Sequence, residues 1–545
     1  MSSLLARAWS ALFSGNSTPV PQERVSSPSR DSGAYRGTIS NYRPRRVASQ
    51  AGESAERTLT QDRAQDLYAN DFAAHSAVDS IAINAVGTGL MPQPRIPHKR
   101  LGITEDQAFD VKEQMEWLWA EWCAEAHIAG GMHFEDIQFC AMTSILRMGE
   151  MLHVPVYDPP SAENGRSFSL ALQPLSPKRL CSPVDRQNDP FIRDGVRLNE
   201  YGKPVGYWIA APAPSAFDAE RLALPHMLSS SDFRYIPSRL GHRPGMFHIF
   251  RHTEEEQVRG VSCLSPAVKL FRNMTDAIDH ELLAQVIAAS FPVFIGLEEG
   301  RPGLPDSVME QYNLADTKNT EGQREYLQEV NPGTIIYGQQ GEKPHILESK
   351  RPSQNFMGFV ELVLRAQGAS MGIPYEVLLK DFSKTNYSSA RAALNEAWKV
   401  FQLYRNWFAR LYCQPIWDMV QEEAYLRGRL VLPSSAPGFY EARFLWTNAY
   451  WYGPSRGYVD PVKEVQANIL AIANRLMTRT EHWAQNGGDY WEGMDQIEAE
   501  EKRMQTMPPQ SEVSLNIKTG KKSKKASDDA DNDGDENDEG DDDAR

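Results

Sequence analysis

The chain has 545 residues, with 72 acidic and 57 basic side chains, a formal net charge of −15 and five cysteines. Eleven acids and one arginine fall between Asp528 and Arg545, so this tail carries −10 and the rest of the chain only −5. A hydrophobic fraction of 41% with 10% aromatics excludes global disorder, and at about 150 residues per domain the length allows three or four domains or one multi-segment fold.

No apolar run reaches the roughly 18 residues that a membrane-spanning helix needs. The apolar segment Leu4 to Phe13 is broken by Arg7 and Ser10, which is not the ordinary form of a signal peptide. The cysteines are odd in number and widely spaced, with no Cys-x-x-Cys, so neither a disulfide framework nor a cysteine zinc site is expected and the compartment reads as reducing. Residues 14–56 are rich in Ser, Pro, Gly and Arg, including Asn41-Tyr-Arg-Pro-Arg-Arg46, and read as a flexible basic arm.

Helical pattern begins near Thr60. Thr104-Glu-Asp-Gln107 is a capping box for a helix carrying Phe109, Met115, Trp117, Leu118 and Trp122. Trp117, Trp119 and Trp122 exceed one core stripe, although the plainer expectation is a helix buried against a sheet. From Met151 to Phe250 short β runs alternate with turns: Met151–Tyr157, Phe168–Leu172, Gly202–Ala210 and Phe247–Phe250, an antiparallel region.

Ser265-Pro266 then supplies an N-cap and N1 proline for a helix with Leu270, Met274, Ile278, Leu282 and Val286 along it. A second β patch, Pro292–Leu297 and Thr334–Tyr337, separates this helix from another at about 355–371, stopped by Gly372-Ile-Pro374. After the polar loop from Lys380 to Tyr387 comes the longest helix, from about Ser388 to Cys413, with the stripe Leu394, Trp398, Phe401, Tyr404, Phe408 and Leu411. Pro415 should interrupt it, with a continuation to Leu426. A β stretch at Tyr440–Tyr452 and helices opened by Asp460-Pro461 and Asp489-Tyr-Trp-Glu492 close the ordered part, before a Lys cluster at 521–525 and the acidic run.

There is no Gly-x-x-x-x-Gly-Lys-Ser/Thr, so this does not read as a P-loop ATPase and any work on a charged polymer must draw its energy from elsewhere. Gly453-Pro-Ser-Arg-Gly457 matches the nucleophile-elbow string, which would make Ser455 a hydrolase nucleophile. An elbow serine sits directly between strand and helix, however, and here the helix start waits for Pro461. His248 and His252 have the i, i+4 spacing of a helical metal pair, which would suit a metal-dependent nuclease, but they fall on a strand pattern, where half-exposed histidines are the default. No catalytic residue, metal ligand or cofactor is assigned.

Gly372-Ile-Pro-Tyr-Glu-Val-Leu-Leu-Lys-Asp-Phe-Ser-Lys-Thr-Asn-Tyr-Ser-Ser-Ala-Arg391 with the long aromatic helix behind it, Gly457-Tyr-Val-Asp-Pro-Val-Lys-Glu464 with Gln466-Ala467, and Arg259-Gly-Val-Ser-Cys-Leu-Ser-Pro266 together resemble the lambda-type portal proteins of tailed bacteriophages. The resemblance covers about residues 30–505. It implies an α+β portal fold: arm 1–56, mixed α/β wing 57–258, first stem helix 259–290, β-containing clip 291–352, second stem helix 353–375 and tunnel loop 376–387. The long spine helix with a returning wing segment would take 388–453 and a helical crown 454–507, leaving 508–545 as a charged tail.

The resemblance further implies a structural head-tail connector rather than an enzyme. Its members form a homo-oligomeric ring, usually of twelve copies, at one capsid vertex of the virion, assembled in the bacterial host cytoplasm and not membrane-bound. Expected partners are the terminase large subunit, major capsid and scaffold proteins, neck and head-completion proteins, and double-stranded DNA without regard to sequence during packaging and ejection. Carried over by position, Lys380, Asp381, Ser383, Lys384, Thr385 and Asn386 are candidates for facing that DNA. The cations and hydroxyls suit phosphates while Asp381 limits affinity; alternatively Asp381 and Asn386 simply cap neighbouring helices. An adaptor without a channel is the remaining structural alternative.

Overall fold

The computed structural model describes residues 50–211, 228–289, 293–295, 335–337, 356–457, 461–486 and 490–506. Most of the arm, most of the clip and the acidic tail lie outside the described residues. Helix α1 (Gln50–Asn70) starts ten residues before Thr60, inside the segment read as arm. Its early start has a tertiary cause, because Ser54 Oγ and Arg57 Nε both donate to the Asp194 carboxylate. Asp71 caps α2 (Phe72–Ala85) by accepting from Ala74 N at 2.8 Å. One side of that helix lies in the core, with Ala74, Ala77, Val78, Ile81 and Ala82 fully buried, while His75, Ser76, Asp79 and Asn84 face outward.

Strand β1 (Met91–Pro94) and the short α3 (His98–Leu101) lead to α4 (Glu105–Ala124). The capping box forms as expected: Thr104 N donates to Gln107 Oε1 at 3.1 Å and Gln107 N to Thr104 Oγ1 at 3.2 Å. Trp119 and Trp122 turn inward while Trp117 is 71% exposed. The inward ring of Trp119 meets Trp122, Phe134, Trp417 and Trp451 at centroid distances of 5.0, 5.2, 5.3 and 5.9 Å. The core around α4 is thus made with the helices that carry Phe134 and Trp417 and also with strands, Trp451 lying on one and Trp122 Nε1 donating to Leu170 O on another at 2.9 Å.

Helix α5 (Phe134–Met148) ends at Gly149, whose φ of +89° only glycine adopts without strain. A Cβ there would also sit 2.5 Å from the backbone of Val261. Strand β2 (Glu150–Tyr157) pairs antiparallel with β3 (Leu170–Leu175). The meander β4 (Ile192–Arg193), β5 (Val196–Leu198), β6 (Pro204–Ala210) and β7 (Phe233–Pro237) is antiparallel throughout. The hairpin β8 (Arg239–Leu240) and β9 (Arg243–Pro244) precedes β10 (Phe247–Phe250), which pairs with the other side of β2. Alternation places Met151 in the main core and Leu152 and Val154 in a second core with Leu180, Val196, Tyr207, Ile209 and Ile236. Both faces of β2 are therefore covered, which explains why the strand is apolar after Glu150 except at His153.

Ser265 does not cap the next helix. It lies inside a 3₁₀ turn, Ser265–Ala267, and the helix proper is α6 (Val268–Ala289). The buried residues of α6 include Phe271 and Met274, whereas Leu282 and Val286 of the expected stripe are more than half exposed. Strands β11 (Val293–Ile295) and β12 (Ile335–Tyr337) pair in parallel. Helix α7 (Phe356–Ser370) stops where expected, at Gly372 with φ +74° and an Ile373 N to Gly368 O bond of 3.0 Å. A further turn of helix, α8 (Tyr375–Leu379), occupies the first part of the segment read as tunnel loop.

The long helix is three segments in line: α9 (Tyr387–Phe408, 22 residues), a π-helical turn (Ala409–Cys413, 5 residues) and α10 (Gln414–Leu426, 13 residues). At 1.5 Å per residue they span about 60 Å. Pro415 interrupts the ladder as expected: it has no N–H for Leu411 O and its ring crowds that carbonyl, and the wider π turn relieves both. The widened turn also rotates the buried face, so Tyr412 and Cys413 are fully buried while Leu411 is 39% exposed. The expected strand Tyr440–Tyr452 reduces to β13 (Ala449–Tyr452), preceded by α11 (Arg443–Trp446); β13 pairs antiparallel with β1. Helices α12 (Pro461–Ala473) and α13 (Arg479–Gln485) follow, and α14 (Tyr490–Thr506) belongs to a separate compact unit. The proposed caps Asp460 and Asp489 lie outside the described residues. Thr478-Arg-Thr-Glu481 is a capping box that the sequence carried unnoticed, with Thr478 N to Glu481 Oε2 at 2.9 Å.

Candidate nucleic-acid interface

The polar loop joins α8 to α9 and is shaped by its own short-range bonds. Lys380 closes α8 in the left-handed conformation, φ +57°. Asp381 Oδ1 accepts from Ser383 N at 2.9 Å, and hydrogen bonds from Ser383 hold its carboxyl below the usual carboxylate range. Thr385 Oγ1 donates to Phe382 O at 2.9 Å. Asn386 Oδ1 accepts from Ser389 N at 2.8 Å and so caps α9. Asn386 therefore has the capping role, while Asp381 makes a local turn and caps no helix.

Lys380, Ser383, Lys384 and Asn386 are exposed, and Asp381 and Thr385 are half-buried. The loop thus gathers all six candidate residues on one short connection. Its foot is fixed to the core, since Leu378 is fully buried and Ser76 Oγ donates to Leu378 O at 2.6 Å. Lys384 Nζ reaches back to Glu361 Oε2 on α7 at 3.1 Å, which sequence reasoning did not anticipate because the two lie 23 positions apart. The first turn of α9 holds no acid. Its free N–H groups and dipole leave the end of the loop hospitable to anions.

The other polar concentration is buried. Glu150, fully buried at the head of β2, accepts from Arg259 Nη2 at 2.5 Å and Nε at 2.9 Å, His248 Nε2 at 2.9 Å, Gln61 Nε2 at 3.2 Å and Gly260 N at 3.1 Å. Burial opposes its charge, but Arg259 and His248 outweigh that and hold the carboxyl well below its usual range. Arg259 also donates to Leu180 O at 2.7 Å and Asp194 O at 2.6 Å. The first residue of the Arg259–Pro266 block is therefore the clasp that ties α1, β2, the β4–β5 hairpin and β10 to the entrance of α6. A lone acid opening an apolar run was the sequence signal for it.

That clasp also takes up one of the two histidines of the nuclease alternative. His248 is buried on Glu150, not half-exposed as expected, while His252 is exposed; the Phe250 ring lies beside both, at 4.9 and 4.4 Å between centroids. They do not form a shared site. Ser455 is exposed after β13 in a segment whose backbone is used for packing: Arg405 Nη2 donates to Pro454 O at 2.8 Å, and Gly453 lies against Leu90 and Arg405. No base is bonded to it among the described residues.

The chain matches the family model described as phage portal protein, lambda family, over residues 36–405. It belongs to that family. It is 26% identical over 476 residues to the portal protein of Escherichia phage N15, covering 84% of this chain and 87% of the relative. It is also 23% identical over 480 residues to portal protein B of Escherichia phage lambda, covering 84% and 86%. Among solved structures it is similar to a chain in the neck of the native gene transfer agent particle computed with C12 symmetry, with 16% identity, a TM-score of 0.37 and coverage of 78% of this chain and 93% of that one. A portal protein is a structural component, and the hydrolase and nuclease alternatives gain no support.

Proposed function

We propose that this portal protein closes into a homo-oligomeric ring of twelve copies at one vertex of the capsid, and that double-stranded DNA is driven through its axial channel during packaging and leaves by the same route. The observation that carries the reading is apolar surface left exposed among the described residues. On α6, Leu282 and Leu283, and on α7, Met357, Phe359 and Leu362, are each more than half exposed. On α12, Val462, Ile469 and Leu470 are likewise exposed. Faces of this kind on successive helices suit a head-to-tail interface that closes on itself.

In this reading the loop 376–387 faces the DNA, where Lys380, Lys384 and the Ser383 and Thr385 hydroxyls meet phosphates without reading bases. A body charge near neutral outside the tail suits a conduit, because a strongly basic lining would hold the polymer. The clip, 291–352, docks the terminase large subunit and later the neck and head-completion proteins, and the wing and crown meet major capsid and scaffold proteins. Assembly takes place in the host cytoplasm. The test is the mass of the assembled particle: twelve chains of 61.3 kDa give about 740 kDa with an axial hole in negative stain. A chain that stays monomeric at high concentration with scaffold present overturns the proposal.

A further inference from the structure

The loop has one ion pair to another element among the described residues, and its geometry is that of an exchangeable tether. Glu361 on α7 holds two cations at once. Arg365 Nη2 lies 2.7 Å from Oε1 and Lys384 Nζ 3.1 Å from Oε2. Both cations are well exposed, at 62% and 66%, while the carboxylate between them is 23% exposed. Arg365 is anchored a second time, its guanidinium carbon lying 5.6 Å from the Tyr375 ring centroid. Lys384 has that carboxylate as its one hydrogen-bond partner among the described residues, with Tyr375 and Asp381 acting on it at longer range.

Resting on the reading that this loop faces DNA, we propose that Glu361 is a positioning residue that parks Lys384 against the second stem helix in the empty channel and releases it to a passing phosphate. Three features make the exchange easy. The pair is surface-exposed, so it is weak and readily displaced. When Lys384 leaves, Arg365 remains, so Glu361 is not stranded without a counter-charge. The three groups together carry one net positive charge, so the tethered loop still attracts an anion while presenting fewer free cations than its sequence suggests. Each phosphate that moves on returns Lys384 to Glu361, which limits dwell time on the polymer. Asp381 works in the same direction from within the loop.

The test uses the assembled protein and two readouts. The first is the rate at which an amine-reactive reagent modifies Lys384 in DNA-free particles, read by mass spectrometry of the loop peptide. Glu361→Gln should raise that rate about 1.5- to fivefold, the range an exposed pair supports. An unchanged labelling rate in Glu361→Gln overturns the tether. The second readout is protection of Lys384 from the reagent in DNA-filled particles of the unaltered protein. If Glu361→Gln speeds labelling of empty particles but DNA gives no protection, the tether exists and the DNA-facing reading of the loop fails instead.

Discussion

Replacing Arg259 with Met probes the buried clasp directly. The change keeps much of the aliphatic stem but leaves the fully buried Glu150 carboxylate with His248, the Gln61 amide, the Gly260 N–H and only the more distant Arg57 cation at 3.9 Å, and it removes the donors to Leu180 O and Asp194 O. Breaking a buried pair from one side costs about 3–5 kcal/mol. The pH dependence separates this from a plain packing defect. In the native protein the Glu150 carboxyl titrates below its usual value, so its contribution is present above an unfolded pKa of about 4.3 and is lost as pH falls through the lower folded value.

In the variant the sign reverses, because burial without Arg259 raises that pKa. The deficit should then be largest near pH 8 and shrink by about 1.4 kcal/mol per unit as pH falls through the raised value and Glu150 takes up a proton. A chain of this size does not unfold in one step, so urea midpoints should be joined by hydrogen exchange at β2, β10 and residues 260–264. Glu150→Gln added to Arg259→Met should recover part of the loss. A deficit below about 1 kcal/mol, or one that does not shrink toward acid pH, refutes the argument.

Trp119→Ala should cost about 3–5 kcal/mol in unfolding experiments because its ring packs against four others, whereas Trp117→Ala should change monomer stability by no more than about 0.5 kcal/mol. Burial lowers the His153 pKa to about 3. Its neutral form is therefore favoured by folding, and this stability is complete above an unfolded pKa of about 6.5 and lost as pH falls from there toward 3. His153→Gln should accordingly flatten the stability-versus-pH slope between pH 6 and 4.5 by about 1.4 kcal/mol per unit, and an unaltered slope counts against it. Deleting residues 380–386 should leave particle mass unchanged and impair DNA packaging or retention; normal packaging places the loop away from the channel. Truncation after Met507 should leave assembly intact by the same mass measurement, and failed assembly would make the tail structural.

Local and periodic features were legible in the chain itself. The Thr104 box, the stop at Gly372, the proline interruption near 415, strand β10 and the antiparallel region around β2 all follow from spacings of a few residues, and these positions could be read directly. The six loop candidates also fall where the sequence placed them, between two helices. Three kinds of decision belonged to the tertiary structure. Long-range bonds set boundaries, as when Asp194 extends α1 back to Gln50. Packing chose which of several apolar residues face inward, so that Trp119 is buried and Trp117 is not, and the π turn exchanged Leu411 for Tyr412. Pairing across the chain joined residues that are far apart in sequence: Glu150 with Arg259, β1 with β13, and Glu361 with Lys384. Sequence periodicity reports the face of an element, but the partner of that face is fixed only when distant segments meet and their charges and volumes must be satisfied together.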